Sequence, residues 1–75
     1  MTWQTIESKM FSAVAYDAEF RVLYLRFVSG EVYRYFDFPE EQWREFLAAD
    51  SRGKFFLSHV RDRFPYERLA KLQVA

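Results

Sequence analysis

Side chains able to do chemistry fall into a few groups in this 75-residue chain. Tyr24, Arg26, Arg34 and Phe36, with Tyr33 and Tyr35 beside them, interleave aromatic rings with guanidinium groups. Rings stack on unpaired bases, and arginine both stacks and pairs with phosphate, so this pattern points to single-stranded nucleic acid. Ser51-Arg52-Gly53-Lys54 offers a hydroxyl, a lysine and the backbone amides of a helix start, the general recipe for an anion site. It lacks the glycine spacing of a P-loop, and it reads first as a helix cap with a close, side-chain-free approach at Gly53. His59, the single histidine, has no Ser or Cys nucleophile with an orienting acid indicated by spacing, so it reads as a packed or surface residue. Glu40, Glu41, Glu45 and Asp50 sit on a helix without a carbonyl-rich loop and read as a solvated face, not a hard-cation site. The expectation is a non-enzymatic binding module with neither metal nor cofactor.

The elements that must position these groups follow from periodicity. Arg21 to Phe38 is two alternating runs of β-branched and aromatic residues joined at Ser29-Gly30, a β-hairpin. A two-residue Ser29-Gly30 loop would set Leu25 opposite Arg34 and bury an arginine among apolar residues. A three-residue Val28-Ser29-Gly30 loop with Gly30 left-handed sets Leu25 opposite Tyr33 instead, and this register is preferred. It gathers Leu23, Leu25, Phe27, Tyr33 and Tyr35 on one face, and puts Arg21 across from Asp37. Val22, Tyr24, Arg26, Val32, Arg34 and Phe36 take the other face. Tyr33 and Tyr35 are then core rings with hydroxyls at a polar rim. Tyr24, Arg26, Arg34 and Phe36 make the better binding surface, unless the N-terminal segment with Trp3 and Ile6, or the C-terminal tail, folds over it.

An additional strand is expected over Phe11 to Tyr16, ahead of the hairpin. Pro39 ends the sheet and suits the first turn of a helix, in which Trp43, Phe46 and Leu47 fall on one stripe. Ser51 caps a second helix expected from about Arg52 to about Arg63, with Phe56 and Val60 toward the core and Lys54, Arg61 and Arg63 toward water. Pro65 stops it, and a last turn of helix is expected from Tyr66 to Leu72. The whole is a single α+β domain over residues 1–75, a three-stranded antiparallel meander followed by two helices on one sheet face.

Composition sets further bounds. Without cysteine there is no disulfide framework, and one histidine cannot assemble a Cys/His zinc site, so the core must be held by packing. Nine Phe, five Tyr and two Trp supply that packing, each removing roughly 150–250 Å² from water. Neither a signal peptide nor a membrane span is indicated, so a cytoplasmic protein is expected. Zero net charge argues against binding nucleic acid by bulk electrostatics, yet residues 51–75 carry six basic against two acidic side chains. Arg52, Lys54, Arg61 and Arg63 are the expected phosphate contacts.

Several segments together resemble the KTSC domain, a small module named for its place at the C-terminus of some lysyl-tRNA synthetases and also found as a free-standing bacterial protein. They are Ser8 and Phe11 leading to Val14-Ala15-Tyr16-Asp17, then Leu23-Tyr24-Leu25-Arg26-Phe27 with Gly30, Tyr33-Arg34-Tyr35, and Phe36-Asp37-Phe38-Pro39. Ser51-Arg52-Gly53-Lys54-Phe55-Phe56 and Arg61-Asp62-Arg63-Phe64 complete the set, over about residues 6–69. Ala15, Leu57 and Phe64 stand where Gly, Asn and Tyr are more usual. The resemblance implies RNA binding as a suggestion for the family and no established activity. Two functions are carried forward: binding of RNA or single-stranded nucleic acid, and a protein-interaction or homodimerising module using the outer sheet face.

Overall fold

The computed structural model describes residues 1–69. Its hairpin pairs β3 (Val22–Phe27) with β4 (Val32–Tyr35), setting Leu23 opposite Tyr35 and Leu25 opposite Tyr33. The connection is the three-residue Val28-Ser29-Gly30 loop: the Phe27 amide donates to the Glu31 carbonyl at 2.9 Å, and Gly30 adopts φ 95°. A side chain is disfavoured at that φ, so glycine holds the loop and the loop holds the register. β2 (Phe11–Asp17) pairs antiparallel with β3, with Val14 opposite Leu25 and Tyr16 opposite Leu23.

The sheet has five strands, not three, in the order β1-β2-β3-β4-β5. β1 (Gln4–Thr5) adds to the β2 edge; two residues without apolar alternation leave no strand signal in the sequence. At the far edge β5 (Tyr66–Leu69) pairs with β4, so the expected helical turn at Tyr66 is a strand, and positions 70–72 of that expectation lie outside the described residues. The charged pair Glu67-Arg68 hides the alternation. Pairing supplies what the isolated segment lacks: Glu67 meets Arg34, and Arg68 meets Glu31 at 2.8 Å.

α1 (Glu40–Ala48) starts behind Pro39 with Glu40 and Glu41 in its first turn, and Phe46 is buried while Trp43 and Leu47 flank it. α2 (Arg52–Phe55) is capped by the Ser51 hydroxyl, which accepts from the Lys54 amide at 3.2 Å. It continues as one π-helical turn, Phe56–Val60, and stops there instead of at Arg63. Arg61 to Arg63 form a turn in which Asp62 takes φ 63°. Gly53 is not required by close packing, since a Cβ there would meet only the Met10 side chain, 3.6 Å away, in ordinary contact.

Both helices lie on the face of Leu23, Leu25 and Tyr35, where Phe46, Phe56 and Val60 close the core. Phe11 is its hub, with ring centroids 5.1 Å from Phe27, 5.5 Å from Phe56 and 6.1 Å from Phe46. Trp43 stacks between Tyr16, at 5.3 Å, and Phe46, at 6.0 Å. Tyr35 is only 5% exposed, and burial together with the Tyr33 and Tyr66 phenols pushes its hydroxyl up to about 12, against the opposing pull of Arg61.

Three outcomes follow. Phe11→Ala is expected to cost about 3–5 kcal/mol in chemical denaturation. Gly30→Ala is expected to lose about 1 kcal/mol or more, while Gly53→Ala is neutral or stabilising by up to about 1 kcal/mol, because only Gly30 has a left-handed backbone. Tyr35 favours its neutral form in the folded state, so it adds about 2–3 kcal/mol that is fully present below pH about 10 and is lost as pH rises toward 12. Stability measured by chemical denaturation from pH 8 to 12 should therefore fall more steeply with pH for the wild type than for Tyr35→Phe.

Candidate functional site

The structure divides the sequence-predicted site residues between opposite faces of the sheet. Tyr24, Arg26, Arg34 and Phe36 lie on the face away from the helices, as the strand alternation requires. Pairing lines up Tyr24, Arg34 and Glu67 across β3, β4 and β5, and Trp3 packs edge-on against Tyr24 at 6.2 Å. Arg34 is spent within this row. It forms an ion pair with Glu67, its guanidinium sits 5.3 Å from the Phe36 ring centroid, and the Tyr24 hydroxyl and Glu67 hold it charged by raising its pKa. Arg26 is exposed. The N-terminal segment expected to cover this face splits: Trp3 lies on it, whereas Ile6 packs against the helix-side core.

Arg52, Lys54 and Arg61 belong to the other side, where two cavities open between the hairpin tip and the helix that starts at Ser51. The first, about 510 Å³, is lined by Tyr33, Tyr35 and Tyr66, by Arg61 and Asp62, and by a floor including Phe27 and Phe56. The second, about 830 Å³, reaches Lys9, Arg52, Gly53 and Lys54. Met10, Phe27, Ser29 and Leu57 line both, so the two form one groove. Arg63 is exposed but lines neither.

The aromatic end is built by the sheet. Tyr33 and Tyr35 follow each other on the inward face of β4, and β5 brings Tyr66 opposite Tyr35, giving three rings with centroids 5.7–6.4 Å apart. Glu31 is neutralised by Arg68. Asp62 and Arg61 line the same cavity as Tyr35, placed there by the π-helical turn and the left-handed residue that follows it. At the other end Arg52 is partly structural, its Nη2 donating to the Leu47 carbonyl at 2.8 Å and finishing α1, while Lys54 projects to solvent. Glu7 and Asp50 alternate with these cations, so the groove carries both signs. Its exposed rim is apolar as well, with Val28 62%, Leu57 50% and Tyr66 59% accessible.

Sequence reasoning did not assign Tyr66, Asp62, Leu57 or Met10 to a site. Tyr66 and Arg68 share the inward face of β5, and that alternation was the one available signal. Ser58 was not paired with His59 either, although its Oγ lies 2.7 Å from His59 Nδ1. The same hydroxyl donates back to the Lys54 carbonyl at 2.9 Å, and the imidazole stacks on Phe55 at 4.5 Å, so the pair sits on an exposed helix surface outside the groove. Among the described residues no group of three or more His, Asp or Glu side chains is placed to hold a metal ion, and no helix is long and apolar enough to cross a membrane.

Residues 7–64 match the model of the KTSC domain. A protein of Tsukamurella paurometabola is 39% identical over 61 residues, which are 81% of this chain and 91% of that protein. A lysine–tRNA ligase of Nostoc sp. is 33% identical over 64 residues, 85% of this chain but 11% of the ligase. The crystal structure of a KTSC domain protein from Yersinia pestis superposes with a TM-score of 0.88 at 26% identity, covering 91% of this chain and 96% of the other. The hairpin with Tyr33 and Tyr35, and every groove residue but Tyr66, thus fall within the matched span, and the chain belongs to the KTSC domain family.

Proposed function

We propose that this domain binds single-stranded nucleic acid, RNA in particular, along the groove between the hairpin tip and the helix starting at Ser51. The observation that carries the reading is the coincidence, in one concave surface, of aromatic rings and Arg61 at one end with Lys54, Arg52 and Lys9 at the other. Unpaired bases offer π-faces to Tyr66 and Tyr33, and the cations meet the backbone phosphates that follow. The outer face is the weaker choice because its central arginine is already paired with Glu67 and lies over Phe36.

The mixed charge of the groove sets the strength. Two or three phosphate contacts, opposed by Glu7, Asp50 and Asp62, give weak binding in which stacking and shape outweigh bulk electrostatics. Similarity to a segment of a lysine–tRNA ligase favours RNA over DNA. The protein-interaction reading retains the exposed rim of Val28, Leu57 and Tyr66 as its own support.

Titration of the labelled domain with mixed-sequence RNA hexamers at low salt is expected to shift the amides of residues 51–61 and of Tyr66. With about three phosphate contacts, affinity should fall roughly ten- to twentyfold between 50 and 200 mM salt. Tyr66→Ala, at an exposed edge position, should weaken binding about five- to a hundredfold by removing a stacking platform. Shifts confined to residues 22–26 and 34–36 would move the site to the outer face, and no shift at all would leave the protein-interaction reading in its place.

A further inference from the structure

We infer that the aromatic end of the groove is a pocket for a single unpaired guanine, with Asp62 reading its hydrogen-bonding edge. This rests on the nucleic-acid reading above and adds a base identity to it. The cavity there, about 510 Å³, lies within the ordinary range for a small-molecule site, roughly 300–1,000 Å³. Its walls are the exposed rings and side chains of Tyr66 and Leu57, with Phe27 and Phe56 beneath. A planar base fits such a slot edge-first, stacked on Tyr66.

The choice of base comes from the polar groups that converge on the slot. Asp62 and Arg61 both line the cavity that Tyr35 lines. Glu31, the other carboxylate of the cavity, is occupied by Arg68 at 2.8 Å, and among the described residues no ion pair engages Asp62. Asp62 therefore offers two acceptor oxygens, and the protonated Tyr35 hydroxyl, with Tyr33 beside it, offers a donor. Guanine presents one acceptor, O6, next to two donors, N1–H and N2–H, on its Watson–Crick edge. Adenine, cytosine and uracil each place an acceptor where one of those donors would be, facing the carboxylate with a lone pair. Arg61, adjacent in the chain, is left for the phosphate of the same nucleotide.

The backbone supports this assignment independently. Asp62 holds φ 63°, a conformation unfavourable for most side chains and tolerated best by Asp and Asn. The helix turn before it is π-helical, Phe56–Val60, a departure that recurs at functional sites. Both irregularities flank Arg61, and together they turn Arg61 and Asp62 toward the tyrosines.

The test compares the four ribonucleoside 5′-monophosphates, and the RNAs UUUUUU and UUUGUU, by amide shift titration of the full chain at low salt. GMP should bind about five- to a hundredfold more tightly than AMP, CMP or UMP, and UUUGUU more tightly than UUUUUU by a similar factor. Asp62→Asn keeps the left-handed backbone but puts an amide donor against a guanine donor, so it should remove the preference, with UUUGUU and UUUUUU then binding alike. Asp62→Gly, which keeps the same φ without any carboxylate, should behave alike. Equal binding of the two RNAs in the groove would overturn the guanine pocket and leave the nucleic-acid reading standing. Preference that survives both Asp62 variants would overturn the role of Asp62, and failure of every RNA and nucleotide to shift the groove would overturn both readings.

Discussion

Everything in this fold depends on the register between β3 and β4. Leu25 faces Tyr33 and Leu23 faces Tyr35, and the reason is local: Gly30 in a left-handed conformation closes a three-residue loop. Side chains alternate along a strand, so a slip of one residue would set Arg34 opposite Leu25 and carry it into the core, turning Tyr33 and Tyr35 to the other face. With the observed register Phe11, Phe46, Phe56 and Val60 find an apolar surface to cover, and the helices are committed to that side.

That commitment divides the polar and aromatic residues into two populations with different roles. Those on the outer face satisfy one another, through the row from Trp3 and Tyr24 to Arg34 and Glu67. Those on the helix side run from buried Tyr35 to exposed Tyr66, Arg61 and Lys54, and together line a groove at the rim of the core. Tyr35 belongs to both worlds: its ring is packed against Phe56 at 5.7 Å and it lines the groove together with Arg61 and Asp62. A residue whose ring holds the core and whose tip faces the cavity ties the position of the site to the stability of the fold.

The elements with strong local signals were legible in advance. Alternation of Leu23, Leu25 and Phe27, the glycine of the loop, Pro39 before α1 and Ser51 before α2 are each matched by the structure. The edge strands were not. Gln4–Thr5 is too short to show a period, and Tyr66–Leu69 carries Glu67 and Arg68, whose charges read as helix surface until Arg34 and Glu31 lie opposite them. The end of the second helix was misplaced for a related reason. Pro65 is a strong stop signal, but the chain leaves the helix at Val60 to let Phe64 reach Phe38, 5.0 Å away, a long-range contact with no local trace.

The sequence by itself determined the family, the hairpin and its sidedness, because alternation, turn chemistry and motif order are properties of neighbouring residues. Tertiary structure alone decided which basic residues share a surface with which rings. Arg52, Lys54 and Arg61 join Tyr33, Tyr35 and Tyr66, and are separated by the sheet from Tyr24, Arg26, Arg34 and Phe36. The physical reason is the closing strand. β5 returns after both helices to pair with β4, and only that nonlocal pairing brings Tyr66 to Tyr35 and neutralises Arg34 and Glu31 with Glu67 and Arg68.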